Sequence, residues 1–106
     1  MTPLEATLRE RVERYTAVTR AALAKVRPGK QQLGEEEAYR TFLDTAQRYF
    51  DDAGHFASQG NLVLALSALN YAHGWLDAGA RLGIFEVEGD SRLFAVDEKS
   101  TKRPRT

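Results

Sequence analysis

Residues 56–69 read Phe56-Ala57-Ser58-Gln59-Gly60-Asn61-Leu62-Val63-Leu64-Ala65-Leu66-Ser67-Ala68-Leu69, and this stretch decides the fold. Glycine suits the left-handed residue that closes a helix, so Gly60 marks an end. Asparagine is a strong N-cap, so Asn61 marks a beginning immediately afterwards. A turn this short makes the two flanking helices antiparallel neighbours.

Working back from Gly60, apolar residues recur at Tyr39, Phe42, Leu43, Ala46, Tyr49, Phe50, Ala53, Phe56 and Ala57. At about 100° per residue they occupy about a third of a helix circumference. Glu35, Glu36 and Glu37 suit the positive end of a helix dipole, so the spacing predicts a helix over 35–59. Working forward, Leu62, Leu66, Leu69, Ala72, Leu76 and Gly79 mark one flank of a helix over 62–82, and Ala68, Tyr71, Trp75, Ala78 and Leu82 mark another. The polar remainder is a strip of Asn70, His73, Asp77 and Arg81. A helix apolar over so wide an arc must be covered on two sides, by two neighbours in a bundle or by a second copy.

A first helix is predicted over 3–27. Thr2, Pro3 and Glu5 form a capping box with proline at the first helical position. Leu8, Val12, Tyr15, Thr19, Ala22 and Val26 then follow in alternating steps of four and three, a heptad seam. Glu5 with Arg9 and Glu10 with Arg14 lie i,i+4 on the wet side and add little. Pro28-Gly29 ends the helix and opens a loop to Gly34.

Beyond residue 83, Ile84–Val87 and Arg92–Val96 flank Glu88-Gly89-Asp90-Ser91. Two short apolar runs around a turn read either as a hairpin or as an extended strap lying on the bundle, over 84–97. Residues 98–106 are polar and are expected to be disordered. The predicted architecture is therefore all-α: an up-and-down three-helix bundle over 1–83 with a short C-terminal extended segment or hairpin.

The totals fit one domain. With 106 residues the chain buries about two-thirds of its unfolded surface. Hydrophobic residues at 42% and charged residues at 28% belong to a globular chain, not a disordered one. Lys plus Arg equals Asp plus Glu at 15 each, so no overall field favours nucleic acid, and a nucleic-acid partner is not expected. The absence of cysteine excludes disulfides and thiolate metal sites and fits a cytoplasmic protein. Met1–Glu10 has no apolar segment of the signal-peptide kind. The longest apolar stretch, Leu62–Leu69, is far shorter than the ~20 residues of a membrane span, so no membrane partner is expected.

One run is distinctive: Tyr71-Ala72-His73-Gly74-Trp75-Leu76-Asp77-Ala78-Gly79-Ala80-Arg81-Leu82-Gly83, preceded by Tyr49–Phe56, Gly60-Asn61 and Ala65–Ala68. With these residues the chain resembles an archaeal family of unknown function, domain family 357, over about Arg11–Val96. The resemblance implies an up-and-down three-helix bundle of archaeal origin. It carries over no activity and no catalytic residue. The even charge balance departs from the acidic haloarchaeal members.

Several constellations bear on function. Arg48 and His55 lie seven positions apart, about two helical turns, on the face opposite the aromatic stripe. Their spacing resembles the nuclease motif of the RNA-cleaving helical HEPN family, but short motifs are weakly specific and a solvated face explains the pair as well. His73 and Asp77, i,i+4, could begin a metal site or an acid–base pair. Zinc needs at least three protein ligands, and His55, the other histidine, lies on the far side of its helix from the core. The plainer reading is a polar strip with an Asp77–Arg81 ion pair. Tyr71 and Trp75 could stack a small ligand, or they serve core or dimer packing. Lys99, Lys102, Arg103 and Arg105 form a basic tail, read as solubilising. No phosphate loop or nucleophile elbow is present. We read no catalytic residue, metal or cofactor from the sequence. The expected function is a non-enzymatic protein-interaction or self-association module, with a homodimer or another protein as partner. Its candidate surface is Asn70, Tyr71, His73, Gly74, Trp75, Asp77 and Arg81. The alternative is an RNA-associated or RNA-cleaving bundle using Arg48 and His55.

Overall fold

The computed structural model describes residues 1–30 and 35–96, with only the backbone of Glu35. The predicted loop residues 31–34, and the polar tail with its four basic residues, lie outside the described residues. The chain is an all-α three-helix bundle: α1 spans Pro3–Lys25, α2 Glu35–Ser58 and α3 Leu62–Arg81. α1 and α2 both pack against α3 and only lightly against each other, so α3 is the central helix. The molecule is thin, with principal extents of 54 × 27 × 18 Å.

Local chemistry sets the ends. Thr2 caps α1, its Oγ1 accepting from the Glu5 N–H at 3.1 Å. Neither predicted i,i+4 ion pair of α1 closes among the described residues, so the seam holds this helix. Val12, Thr19, Ala22 and Val26 are all buried. α2 closes with a Schellman turn: Gly60 has φ +77°, Asn61 N donates to Phe56 O at 2.9 Å, and Gly60 N donates to Ala57 O at 3.0 Å. The same Asn61 then caps α3 by accepting from Leu64 N at 3.2 Å. Gly83 closes α3 in the same way, with Ile84 N donating to Gly79 O at 2.9 Å.

α1 stops at Lys25, two residues before its predicted end. Proline disfavours a helical conformation in the residue before it, which pushes Arg27 into extended backbone. Arg27–Pro28 (β1) pairs antiparallel with Phe85–Glu86 (β2), in the register Arg27 to Glu86 and Pro28 to Phe85. The run around Phe85 therefore joins the end of α1, and the 84–87 and 92–96 runs do not form a hairpin with each other. Residues 87–96 instead fold back over the bundle in a series of turns.

Two clusters make the core. One gathers Val12, Ala53, Leu62, Ala65, Ala68 and Leu69 where α1 begins and α2 ends. The other gathers Ala22, Val26, Ala46 and Leu76 with Phe85, Val87 and Phe94, so the C-terminal segment supplies much of that end of the core. The Phe85 ring lies against the backbone of Gly79, where a Cβ would collide with it. Gly79 thus serves an internal close approach, not contact with a second helix.

Candidate interaction surface

The predicted surface on α3 divides in two. His73 and Asp77 line a recess of about 260 Å3 between α1 and α3, with Tyr15, Thr19 and Leu69. Tyr71 and Trp75 line a second recess of about 330 Å3 on the α2 side, with Phe42 and Ala78. Asn70 and Gly74 line both recesses and form the ridge between them.

On the α1 side, three side chains at successive turns of α3 hold the C-terminal segment. His73 Nε2 lies 2.6 Å from the Leu93 carbonyl oxygen. Asp77 Oδ1 accepts from the Ala95 N–H at 2.8 Å. Arg81 Nη1 donates to the Ala95 carbonyl at 2.9 Å. The expected Asp77–Arg81 ion pair is therefore replaced: acid and base grip opposite polar groups of one residue's backbone. A carbonyl can only accept, so His73 Nε2 carries the proton. In the neutral ring Nδ1 is then the acceptor, and the Thr19 hydroxyl donates to it at 3.0 Å.

Thr19, His73 and Asp77 thus form a hydroxyl–imidazole–carboxylate line, with Asp77 Oδ1 3.6 Å from His73 Nε2. Such lines occur in nucleophilic catalysis. Here Thr19 is 2% exposed, which closes its hydroxyl to a substrate, and the short bond of Nε2 goes to a backbone carbonyl. The line is a structural clip joining α1, α3 and the C-terminal segment. Thr19 occupies a position of the α1 seam, and the seam spacing alone assigns it no partner. A hydroxyl at an otherwise apolar seam position was the available signal, because a buried donor requires an acceptor.

On the α2 side the rings form an edge-to-face series. Tyr49 meets Tyr71 at 4.5 Å, Tyr71 meets Trp75 at 6.3 Å, and Trp75 meets Phe42 at 4.9 Å. Phe42 continues to Phe85 at 6.4 Å, and Phe85 to Tyr39 at 5.5 Å. Edge-to-face pairs contribute about 0.5–1.5 kcal/mol beyond their burial, so this series fastens α2 to α3. Its outer end stays open: Tyr71 is 52% exposed, with Leu64 at 45% and Leu82 at 71% on the same flank of α3. Trp75 Nε1 is buried with no hydrogen-bond partner among the described residues.

Arg48 and His55 are both exposed on α2 and take no part in either recess described above. Among the described residues no group of three or more His, Asp or Glu side chains could hold a metal ion. No helix there is long and apolar enough to cross a membrane.

A thin bundle of three helices around a central α3, with the α3 run Tyr71–Gly83 at its centre, defines the class. The family model described as "Protein of unknown function (DUF357)" matches residues 14–85, and the chain belongs to that family. The matched stretch includes His73, Asp77 and Arg81 but ends before Leu93–Val96, so it is shorter at its C-terminal end than the resemblance over about Arg11–Val96. No curated protein and no solved structure matches the chain.

Proposed function

We propose that this chain is a non-enzymatic self-association module that pairs through the outer face of α3 on the α2 side. The observation that carries this reading is the open aromatic recess of Phe42, Tyr71, Trp75 and Ala78. Aromatic side chains, tyrosine and tryptophan above all, are the usual anchors of protein interfaces. α1 and α2 lie to either side of α3 and leave the Gly74 ridge bare: a Cβ built at Gly74 meets nothing within 4 Å. A second α3 can approach closely there. His73, Asp77 and Arg81 fall out of the interface because they already hold the C-terminal segment.

Sedimentation velocity over a concentration series tests the reading. The expected result is a reversible dimer that Gly74→Arg abolishes. The substitution has room within one chain, and arginine favours a helix over glycine by about 0.8 kcal/mol, so the monomer should be no less stable. A wild-type protein that stays monomeric at millimolar concentration would sink the proposal.

A further inference from the structure

Residues 90–96 are a small plug closed by its own bonds. Asp90 Oδ1 accepts from Arg92 N at 3.0 Å and Leu93 N at 3.2 Å, and Phe94 N donates to Asp90 O at 3.1 Å. Phe94 is 3% exposed in the core cluster with Ala22, Val26 and Leu76, and Leu93 and Val96 pack beside it. The polar fastening comes from His73, Asp77 and Arg81, all to plug backbone atoms. The plug is tied to the bundle through Glu88-Gly89, two consecutive residues with positive φ, 56° and 67°. Glu88 is the one non-glycine residue among those described with positive φ, a conformation that L-residues adopt at a cost.

We propose that two copies of this chain exchange plugs, each inserting residues 90–96 into the α1–α3 socket of the other. The occupant fits because it is the segment the socket already holds. Each bond to Leu93 and Ala95 can be remade between chains one for one. Opening straightens the hinge and releases the left-handed Glu88 in both copies, and a short strained hinge favours such exchange. The hinge is closed by a turn bond from Asp90 N to Val87 O at 3.1 Å, which opening breaks in each copy, and by two outlying contacts of the exposed Glu88: Glu88 N to Glu86 Oε2 at 2.8 Å and Lys25 Nζ to Glu88 Oε1 at 3.4 Å. A tethered plug has an effective concentration of about millimolar, so the closed monomer prevails in dilute solution and exchange appears on concentration. This socket lies on the side of α3 away from the Trp75 recess and does not depend on the self-association reading above.

The test uses the full chain, with dimer fraction read by native mass spectrometry and sedimentation. Glu88→Gly accepts the positive φ without strain and should weaken the dimer about tenfold. Gly89→Ala strains the closed hinge and should strengthen it about tenfold. Two isotopically distinct wild-type samples should form mixed dimers slowly, since each plug must first leave its socket, and faster with Asp77→Ala. If Gly89→Ala fails to fold by circular dichroism, Glu88→Gly decides alone. Dimers that ignore the hinge substitution but vanish with Gly74→Arg would overturn plug exchange and keep the outer-face reading. Dimers that respond to the hinge and ignore Gly74→Arg would do the reverse. A wild type that forms no mixed dimer at any concentration overturns the exchange.

Discussion

His73 and Leu93 meet through a 2.6 Å bond from an imidazole nitrogen on the central helix to a backbone carbonyl twenty residues later. The other ring nitrogen meets Thr19 of α1 at 3.0 Å. One side chain therefore ties three segments together, and its removal strands polar groups on both sides.

Replacing His73 by alanine leaves the buried Thr19 hydroxyl without its acceptor and the Leu93 carbonyl without its donor. An unsatisfied buried polar group costs about 1–3 kcal/mol, so His73→Ala should lower stability by about 2 kcal/mol in urea unfolding. Thr19→Val should cost about 1 kcal/mol, since it keeps the shape and removes one bond. Because the two residues share that bond, the double variant should lose less than the sum. Strict additivity would show that the Thr19–His73 bond contributes nothing.

Asp77 acts on the plug directly. Asp77→Ala removes the acceptor for the Ala95 amide, which should then exchange its hydrogen at least about tenfold faster, while amides in the middle of α2 keep their protection. Uniform acceleration throughout the chain would instead mean that the bundle and plug open as one unit.

Two glycines on helices should respond in opposite directions. Gly54 is exposed on α2, and a Cβ there meets nothing within 4 Å. Gly54→Ala should stabilise the chain by about 0.8 kcal/mol through helix propensity. Gly79→Ala gains the same propensity but drives a methyl into the Phe85 ring. Overpacking of a filled core costs about 1–3 kcal/mol, so thermal unfolding should place this variant below wild type. Equal midpoints for the two variants would contradict the close approach of Phe85.

Arg48 and His55 stand on the wet face of α2. Arg48→Ala and His55→Ala should each change stability by less than about 0.5 kcal/mol, as exposed substitutions do. A larger shift in the urea midpoint would reveal a contact that the exposed positions do not suggest.

The helices were legible because their signals are local. The four–three spacing of Val12, Thr19, Ala22 and Val26 places all four on one side of α1, and that side is buried. Gly60 and Asn61 act on backbone groups within a few residues of themselves. The end of α1 was less legible, because Arg27 answers to two influences at once: the proline after it and the strand partner Glu86 far along the chain. The surface strip on α3 was legible as residues but not as roles. His73 and Asp77 line one recess, Tyr71 and Trp75 the other, Asn70 and Gly74 line both, and Arg81 lines neither.

By itself, the sequence determined three amphipathic helices, the tight turn between the last two, and the excess of apolar surface on α3. Those follow from helical period and from side chains capping their own backbone, which are properties of short segments. Only the tertiary structure decided that His73, Asp77 and Arg81 are a clip while Tyr71 and Gly74 are left exposed beside a partly buried Trp75. The clip binds the carbonyl of Leu93 and the amide and carbonyl of Ala95, atoms that nearly every residue possesses. A partner made of backbone leaves no mark in residue type, so its position emerges only once the chain has folded back upon α3.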